Sequence, residues 1–336
     1  MSKNYQIIIP QKLEPAKKAY HDFALDVLIG LSESPKKLPS KYLYDTIGSE
    51  VFQEITELPE YYLTRCEHEI LEEHKEEIAE IAGNEQFNLV ELGPGDGRKT
   101  KVILEYFQAM QLDFQYAPID ISEDALKGLI ATMNGFFPQL EIEGLVSDYF
   151  EGIKCLSAMR RCRNFVLFLG SNIGNFNPSE TRVFLHRLWN ALNHGDHVLI
   201  GFDLKKDVDM LLNAYNDSNG VTASFNLNLL NRINQEMGGN FRLDHFQHYE
   251  TYDVFSGAME SYLVSKEAQS VYIEKLQQSF CFQAWEPIHT ESSYKYLESD
   301  IILLAKETGF AIEAHFFDAQ HYFADSLWRV EKVLQK

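Results

Sequence analysis

Phe87-Asn88-Leu89-Val90-Glu91-Leu92-Gly93-Pro94-Gly95-Asp96-Gly97 is the stretch from which the rest of the chain is read. Its first six residues have the largely apolar character of a strand buried on both faces. Three glycines at alternate positions follow at once, letting the backbone turn sharply and approach a ligand closely, with amides free to donate. A helix from about Arg98 to Met110 comes next. Strand, glycine turn and helix in that order form the opening unit of a parallel α/β sheet.

The alternation continues beyond it. Phe114–Ile119 reads as a second strand with a helix from about Ser122 to Asn134, Leu145–Ser147 as a short third strand, and Phe165–Leu169 as an apolar fourth. Asn177-Pro178-Ser179-Glu180 carries a capping side chain, proline at the first helical position and an acid in the first turn, which predicts a helix continued by Phe184, Leu188 and Leu192. His197–Phe202 is a fifth strand. Such a sheet has helices on both faces and binds ligands at the carboxyl ends of its strands, so functional residues belong just after each strand.

Outside this core, helices are expected around Ala19–Leu31 and Cys66–Ala82, joined through Ser34-Pro35-Lys36-Lys37-Leu38-Pro39. Ile70, Leu71, Ile78 and Ile81 give the second helix an apolar stripe, and Gly83 stands at its C-cap. From about Lys205 to Trp285 the alternation lapses for too long to be one connection. It resumes with a helix Ser299–Thr308, closed by Gly309, and a last strand Ala311–Phe317. The expected division is a sheet domain over 84–204 and 286–336, and a smaller substrate-binding domain from 1–83 and the insertion 205–285. A substrate pocket is expected between the two.

The chain has 336 residues, with 30 Lys+Arg against 50 Asp+Glu and a net charge of −20. A field of that sign repels phosphate backbones and anionic lipid, and no basic patch offsets it, so neither nucleic acid nor membrane is expected as a partner. The four cysteines, Cys66, Cys155, Cys162 and Cys281, are too scattered for a disulfide framework. Met1–Gln11 holds only Ile7-Ile8-Ile9 as an apolar run, too brief for a signal-peptide core, and no run approaches the length of a membrane span. A cytoplasmic monomer acting on a small molecule is expected. Cys66, His68 and His74, or His245 and His248, do not supply the three or four convergent ligands of a zinc site, so no metal is expected.

The glycine turn admits more than one nucleotide chemistry. A dinucleotide fingerprint needs G-x-G-x-x-G, whereas these glycines fall as G-x-G-x-G. The phosphate-cradling loop G-x-x-x-x-G-K-[ST] is approached by Gly93 to Arg98-Lys99-Thr100, but Arg98 replaces the second glycine. Methyltransferases that use S-adenosylmethionine have an acid before G-x-G-x-G and another acid ending the next strand. Glu91 and Asp120 fit that pattern, with Asp120 placed to accept from ribose hydroxyls and Asp148, after the third strand, placed to take the adenine amino group.

Together with Tyr44-Asp45-Thr46-Ile47-Gly48-Ser49-Glu50-Val51-Phe52 and Leu58-Pro59-Glu60-Tyr61-Tyr62-Leu63-Thr64-Arg65, this turn resembles the histidine Nα-methyltransferase family of ergothioneine biosynthesis. The resemblance runs from about Ser40 to Val330 and includes Gly170-Ser171-Asn172-Ile173-Gly174-Asn175-Phe176, Asn213–Asp217, Val221–Asn226 and Ile288-His289-Thr290-Glu291-Ser292-Ser293. It implies a Rossmann-like class I methyltransferase sheet and S-adenosylmethionine as cofactor. It further implies that Asn175 and Tyr215 grip the substrate carboxylate, Tyr61 and Asn175 orient the amino group, and Glu291 with Ser293 binds the imidazole. Tyr44, Gly93, Gly95, Lys99, Asp120, Asp148 and Tyr149 would line the cofactor site, with Gly170 contributing backbone contacts. One position departs: where the family carries methionine in Glu-Met, this chain reads Glu260-Ser261-Tyr262, placing a smaller, polar Ser261 at the substrate wall.

The residue chemistry agrees with those roles. Methyl transfer to an amine is an in-line displacement, so catalysis is chiefly positioning and no protein nucleophile is needed. Tyrosines and an asparagine suit a zwitterion, and a carboxylate beside a hydroxyl suits the two imidazole nitrogens. The expected reaction is Nα-methylation of free L-histidine toward its trimethyl betaine. The alternatives are Nα-methylation of another amino acid or amine, a P-loop nucleotide-binding protein, and a non-catalytic binding module.

Overall fold

The computed structural model describes residues 5–8, 15–83, 85–159 and 162–332. Strands are β1 Tyr5–Ile8, β2 Lys36–Lys37, β3 Phe87–Leu92, β4 Phe114–Asp120, β5 Ile142–Val146, β6 Arg163–Phe168 and β7 His197–Asp203. They continue with β8 Phe246–Asp253, β9 Ala258–Ser265, β10 Gln269–Ile273, β11 Gln278–Phe282, β12 Pro287–Tyr294, β13 Phe310–Phe317 and β14 Phe323–Val330. Helices are α1 Pro15–Ser32, α2 Thr46–Thr56, α3 Tyr62–Ala82, α4 Arg98–Ala109, α5 Glu123–Phe136, α6 Tyr149–Met159, α7 Pro178–Ala191, α8 Val208–Tyr215, α9 Val221–Met237 and α10 Glu298–Thr308.

The described residues fall into two compact units. The first draws on Met1–Lys12, Leu63–Leu204 and Tyr296–Lys336, and the second on Leu13–Tyr62 and Lys205–Lys295. Two boundaries differ from the sequence reading. Nearly all of α3 belongs to the first unit, because its buried Glu67 accepts from Gly170 N at 2.6 Å and pairs with Lys99 of α4. The strand β12 belongs to the second, because it pairs with β9 along its length, from Pro287↔Val264 to Tyr294↔Ala258.

The first unit is built on an eight-stranded sheet in the order β1-β5-β4-β3-β6-β7-β14-β13. The strands from β1 to β7 run parallel, with Leu92 opposite Ile119 and Phe168 opposite Ile200. Parallel pairing in register brings the ends of β3, β4 and β6 to one edge, the edge that receives ligands in such sheets. Every residue of β3 and β7 is buried, as expected of central strands covered on both faces. The predicted final strand is present as β13 but does not lie beside β7. Between them runs β14, antiparallel to both, a strand the sequence reading did not identify. Its polar side chains Asp325 and Ser326 are fully buried.

Local signals at helix ends are realised. Asn177 Oδ1 accepts from Ser179 N and Glu180 N, each at 2.9 Å, while Glu180 Oε2 accepts from Asn177 N at 3.0 Å, closing a capping box. Gly83 at φ +73° and Gly309 at φ +89° end α3 and α10 in the left-handed conformation that glycine adopts without strain.

The second unit holds a four-stranded sheet, β2-β12-β9-β8, a separate hairpin β10-β11, and the helices α1, α2, α8 and α9. Glu250, Ser261 and Glu291 stand opposite one another across β8, β9 and β12. Side chains directly opposite in a sheet share a face, so the fold sets these three in one row.

At the base of the large sheet, the buried carboxylate of Asp196 organises the start of β6 and β7. Its oxygens accept from Asn164 N and Asn164 Nδ2, both at 2.9 Å, and from Asn193 N at 2.8 Å. Truncation strands several buried donors. Asp196→Ala is expected to cost the first unit about 3 kcal/mol, read as an earlier thermal transition, with cofactor affinity of the folded protein retained. A transition at the wild-type temperature would count against this account.

Candidate active site

The glycine turn after β3 is held from beneath by Glu91. This buried carboxyl accepts from Thr100 Oγ1 of α4 and Tyr116 OH of β4. Burial pushes it up to about 7, against the opposing pull of those two hydroxyls and of Lys99. Above it Gly93, Gly95 and Gly97 have φ of +65°, +58° and +73°. A side chain is excluded for different reasons along the turn. A Cβ at Gly97 would come within 2.1 Å of Met133 Cε, and one at Gly93 within 2.8 Å of Tyr149 Oη, whereas Gly95 has nothing within 4 Å. The middle of the turn is therefore open backbone, with α5 and α6 packed at its two ends.

Asp120 ends β4, half-buried, and accepts from Ser122 N at 2.8 Å. Burial raises its carboxyl, and the Tyr149 phenol is pushed up to about 12 by its own burial and by the Asp120 charge. Gly93, Asp120 and Tyr149 thus converge on one side of the turn. Asp148 is exposed, and its Oδ1 caps α6 by accepting from Phe150 N at 3.1 Å and Glu151 N at 3.2 Å. One oxygen of this side chain therefore already serves the fold.

Lys99 and Gly170 come together around a residue that the sequence reading missed. Glu67 pairs with Lys99 and accepts from Gly170 N, and a Cβ on Gly170 would meet Lys99 Nζ at 3.0 Å. Asp325 of β14 completes the cluster; burial and the neighbouring Glu67 hold its carboxyl well above the usual range. The readable signal was helical spacing. Glu67 falls with Leu63, Cys66, Ile70 and Leu71 on the buried stripe of α3, where an acid must have partners. Nothing in the sequence paired it with Asp325, which lies in an unrecognised strand.

Gly170 at φ +78° and Ser171 at φ +55° turn the chain sharply after β6. A serine held in this region costs about 1 kcal/mol, offset in part where its Oγ accepts from Asp203 N at 3.0 Å. The short 3-10 turn Asn172–Asn175 that follows sets Asn175 half-buried, two residues before the cap of α7.

The second unit collects the remaining predicted residues. Tyr61 and Tyr215 meet edge to face at 6.3 Å between ring centroids. Phe52 packs against Tyr61 at 6.2 Å and Tyr44 at 5.3 Å, and Tyr44, 39% exposed, also touches Phe225. On β12, Glu291 and Ser293 alternate onto one face. Burial pushes Glu291 up to about 7, against the pull of Lys295 and His289. Ser261 donates to Glu250 Oε2 at 2.6 Å. Glu250 was not foreseen as part of the site. Its carboxyl is raised well above the ordinary value by burial and by the Glu291 charge. Ser293 Oγ lies 2.9 Å from Tyr215 OH, which ties the residues expected at the two ends of the substrate to each other.

The residues present fit an adenosine-bearing sulfonium. An open glycine backbone gives close approach, Asp120 provides a half-buried acceptor beside it, and Tyr149 supplies a phenol at the same end. Among the described residues no group of three or more His, Cys, Asp and Glu is placed to hold a metal. Among them, too, no helix is long and apolar enough to cross a membrane.

A family model described as histidine-specific, S-adenosylmethionine-dependent methyltransferase matches residues 23–330. The chain is 37% identical over 284 residues to a histidine N-alpha-methyltransferase of Mycolicibacterium smegmatis, covering 84% of this chain and 87% of that one. It is also 37% identical over 271 residues to the enzyme of the same name from Mycobacterium tuberculosis, covering 81% and 83%. Ergothioneine biosynthesis protein 1 of Schizosaccharomyces pombe is 30% identical over 308 residues, covering 87% of this chain but 39% of that longer protein. With the match spanning both units, the chain belongs to the histidine-specific, S-adenosylmethionine-dependent methyltransferases.

Proposed function

We propose that this enzyme transfers methyl groups from S-adenosylmethionine to the α-amino nitrogen of free L-histidine, carrying it to the Nα-trimethyl betaine. The observation that carries the reading is the face of β12, where a carboxyl tuned to about 7 and a hydroxyl two residues on suit the two nitrogens of an imidazole. An indole amino acid would have little use for a carboxylate facing its ring. The P-loop reading has no support in the family match, and Arg98 stands where a phosphate cradle requires glycine.

Within this reading Gly93, Gly95 and Asp120 hold the adenosyl part of the cofactor, with Tyr44, Lys99, Asp148, Tyr149 and Gly170 lining it. When bound, the cofactor supplies a methyl carbon activated by a sulfonium. Tyr215 and Asn175 grip the substrate carboxylate, and Tyr61 and Asn175 orient the amine with its lone pair free. The nitrogen must be neutral to attack, so its proton leaves before each round, and the orienting groups must tolerate rotation as methyl groups accumulate. Precise orientation by fixed hydrogen bonds is the main source of acceleration here. Glu291 accepts from a ring N–H, which selects histidine because an analogue lacking that donor would leave a buried carboxylate unpaired. We further place the protein in the cytoplasm as a monomer. Its charge of −20 argues against polyanionic partners.

Mass analysis of products formed from each amino acid with labelled cofactor tests the assignment; a preferred substrate other than histidine would overturn it. Glu291→Ala is expected to raise the KM for histidine about a hundredfold while cofactor affinity stays at the wild-type level, and equal losses of both would contradict the ring assignment. The pH dependence has a definite sign. Glu291 must be ionised to accept, and its raised carboxyl protonates as pH falls through about 7, so 1/KM for histidine is expected to fall across that window in initial-rate measurements. Asp120→Ala is expected to weaken S-adenosylmethionine by about 2 kcal/mol, roughly thirtyfold in Kd, measured by calorimetry. An unchanged Kd would remove Asp120 from the cofactor site.

A further inference from the structure

Lys295 lies one residue beyond β12 and is 2% exposed. A buried ammonium is costly unless its charge and hydrogens are matched. Its Nζ donates to Tyr215 OH at 2.7 Å and to Ser293 Oγ at 2.8 Å, and sits 4.5 Å from the centroid of the Tyr215 ring. Those hydroxyl oxygens are themselves 2.9 Å apart. The reaction as set out above makes no use of this lysine.

We propose that Lys295 is a positioning residue that fixes the donor direction of Ser293, making the ring site selective for a neutral imidazole in a single tautomer. This rests on Glu291 and Ser293 being the ring-binding pair. An ammonium can only donate, so both hydroxyl oxygens accept from it. The Tyr215 phenol has one proton, and in the reaction set out above it goes to the substrate carboxylate. Ser293 Oγ then accepts from the ammonium, and what it offers to a ligand is its own proton. Glu291, once ionised, can only accept. A carboxylate and a hydroxyl donor together require a ring with one N–H and one bare nitrogen. Imidazolium has two N–H groups, so it would set one against the serine proton and bring a second cation near Lys295. The same arrangement rejects the cationic side chains of arginine and lysine.

The charges around this group come from several elements. Lys295 and His289 of β12 act on Glu291, while Lys295, Glu291 and Glu260 of β9 act on Glu250 of β8, and His248 lies 3.8 Å from Glu250; Tyr215 of α8 accepts from Lys295. Lys295 lowers both Glu291 and Glu250, so the ammonium also keeps the ring-binding carboxyl ionised nearer neutrality.

Lys295→Met removes charge and donor together, while Lys295→Gln removes the charge and keeps an N–H. The Met variant is expected to raise the KM for histidine at least about tenfold, with S-adenosylmethionine affinity unchanged, and the Gln variant to raise it less. In both, the acid limb of 1/KM moves to higher pH, a shift that a merely structural lysine would not produce. Folded variants with wild-type KM and an unmoved limb would overturn the proposal. A measurement on the wild-type enzyme stands if neither variant folds. The trimethyl betaine of histidine, whose nitrogen has no proton to lose, is titrated at pH 6 with S-adenosylhomocysteine present, in two buffers of different ionisation enthalpy. Net release well above a single proton is expected, since about three quarters of the rings and most Glu291 carboxyls must deprotonate on binding. Release of a single proton or less would mean that imidazolium binds, which defeats the proposal. A wild-type enzyme that does not methylate histidine would instead defeat the ring assignment itself.

Discussion

The buried carboxyl of Glu91 is the interaction on which the cofactor half of the molecule depends. It anchors the end of β3 to Thr100 at the start of α4 and to Tyr116 in β4, so one side chain fixes the strand, the helix and the neighbouring strand around the glycine turn. A buried acid unpaired would cost several kcal/mol, whereas one accepting from two hydroxyls locks their geometry. Gly95 can then present open backbone at the middle of the turn, because the turn is braced from below by Glu91 and at its ends by α5 and α6 packed against Gly97 and Gly93.

The same logic recurs in the second unit with the signs reversed. Glu250, Ser261 and Glu291 form a row across three strands, two acids with a hydroxyl between them, and Lys295 places one cation beside them. Each group alters its neighbours: burial raises both carboxyls, the Glu291 charge raises Glu250 further, and the ammonium draws both back. Ser261 is meaningful in this setting. A methionine there would present an apolar wall, whereas the serine hydroxyl gives the buried Glu250 a hydrogen bond at 2.6 Å. The substitution and the buried acid are one arrangement, and neither is intelligible from its own position in the chain.

Much of the fold was legible because its signals are local. The strand-turn-helix at Phe87–Met110, the capping box at Asn177–Glu180 and the glycines closing α3 and α10 depend on neighbours within a few residues, and all stand where expected. What escaped notice depended on distant partners. β14 carries Asp325 and Ser326 in a fully buried strand, and only a sheet with Glu67 and Lys99 beside it makes that tolerable. β1 is four residues long and gains its identity by pairing with β5, more than a hundred residues away.

From the sequence alone came the order of strands and helices, the glycine turn with its acids, and a set of tyrosines, an asparagine and a carboxylate typical of one family, because these rest on residue type and short spacing. Tertiary structure decided which acids are buried and hence raised, that α3 and β14 meet around Lys99, that β12 belongs to the smaller unit, and that Lys295 joins Tyr215 to Ser293. The reason is physical: a carboxyl's proton affinity and a hydroxyl's donor direction are set by what surrounds them, and the surroundings are assembled from segments far apart in the chain.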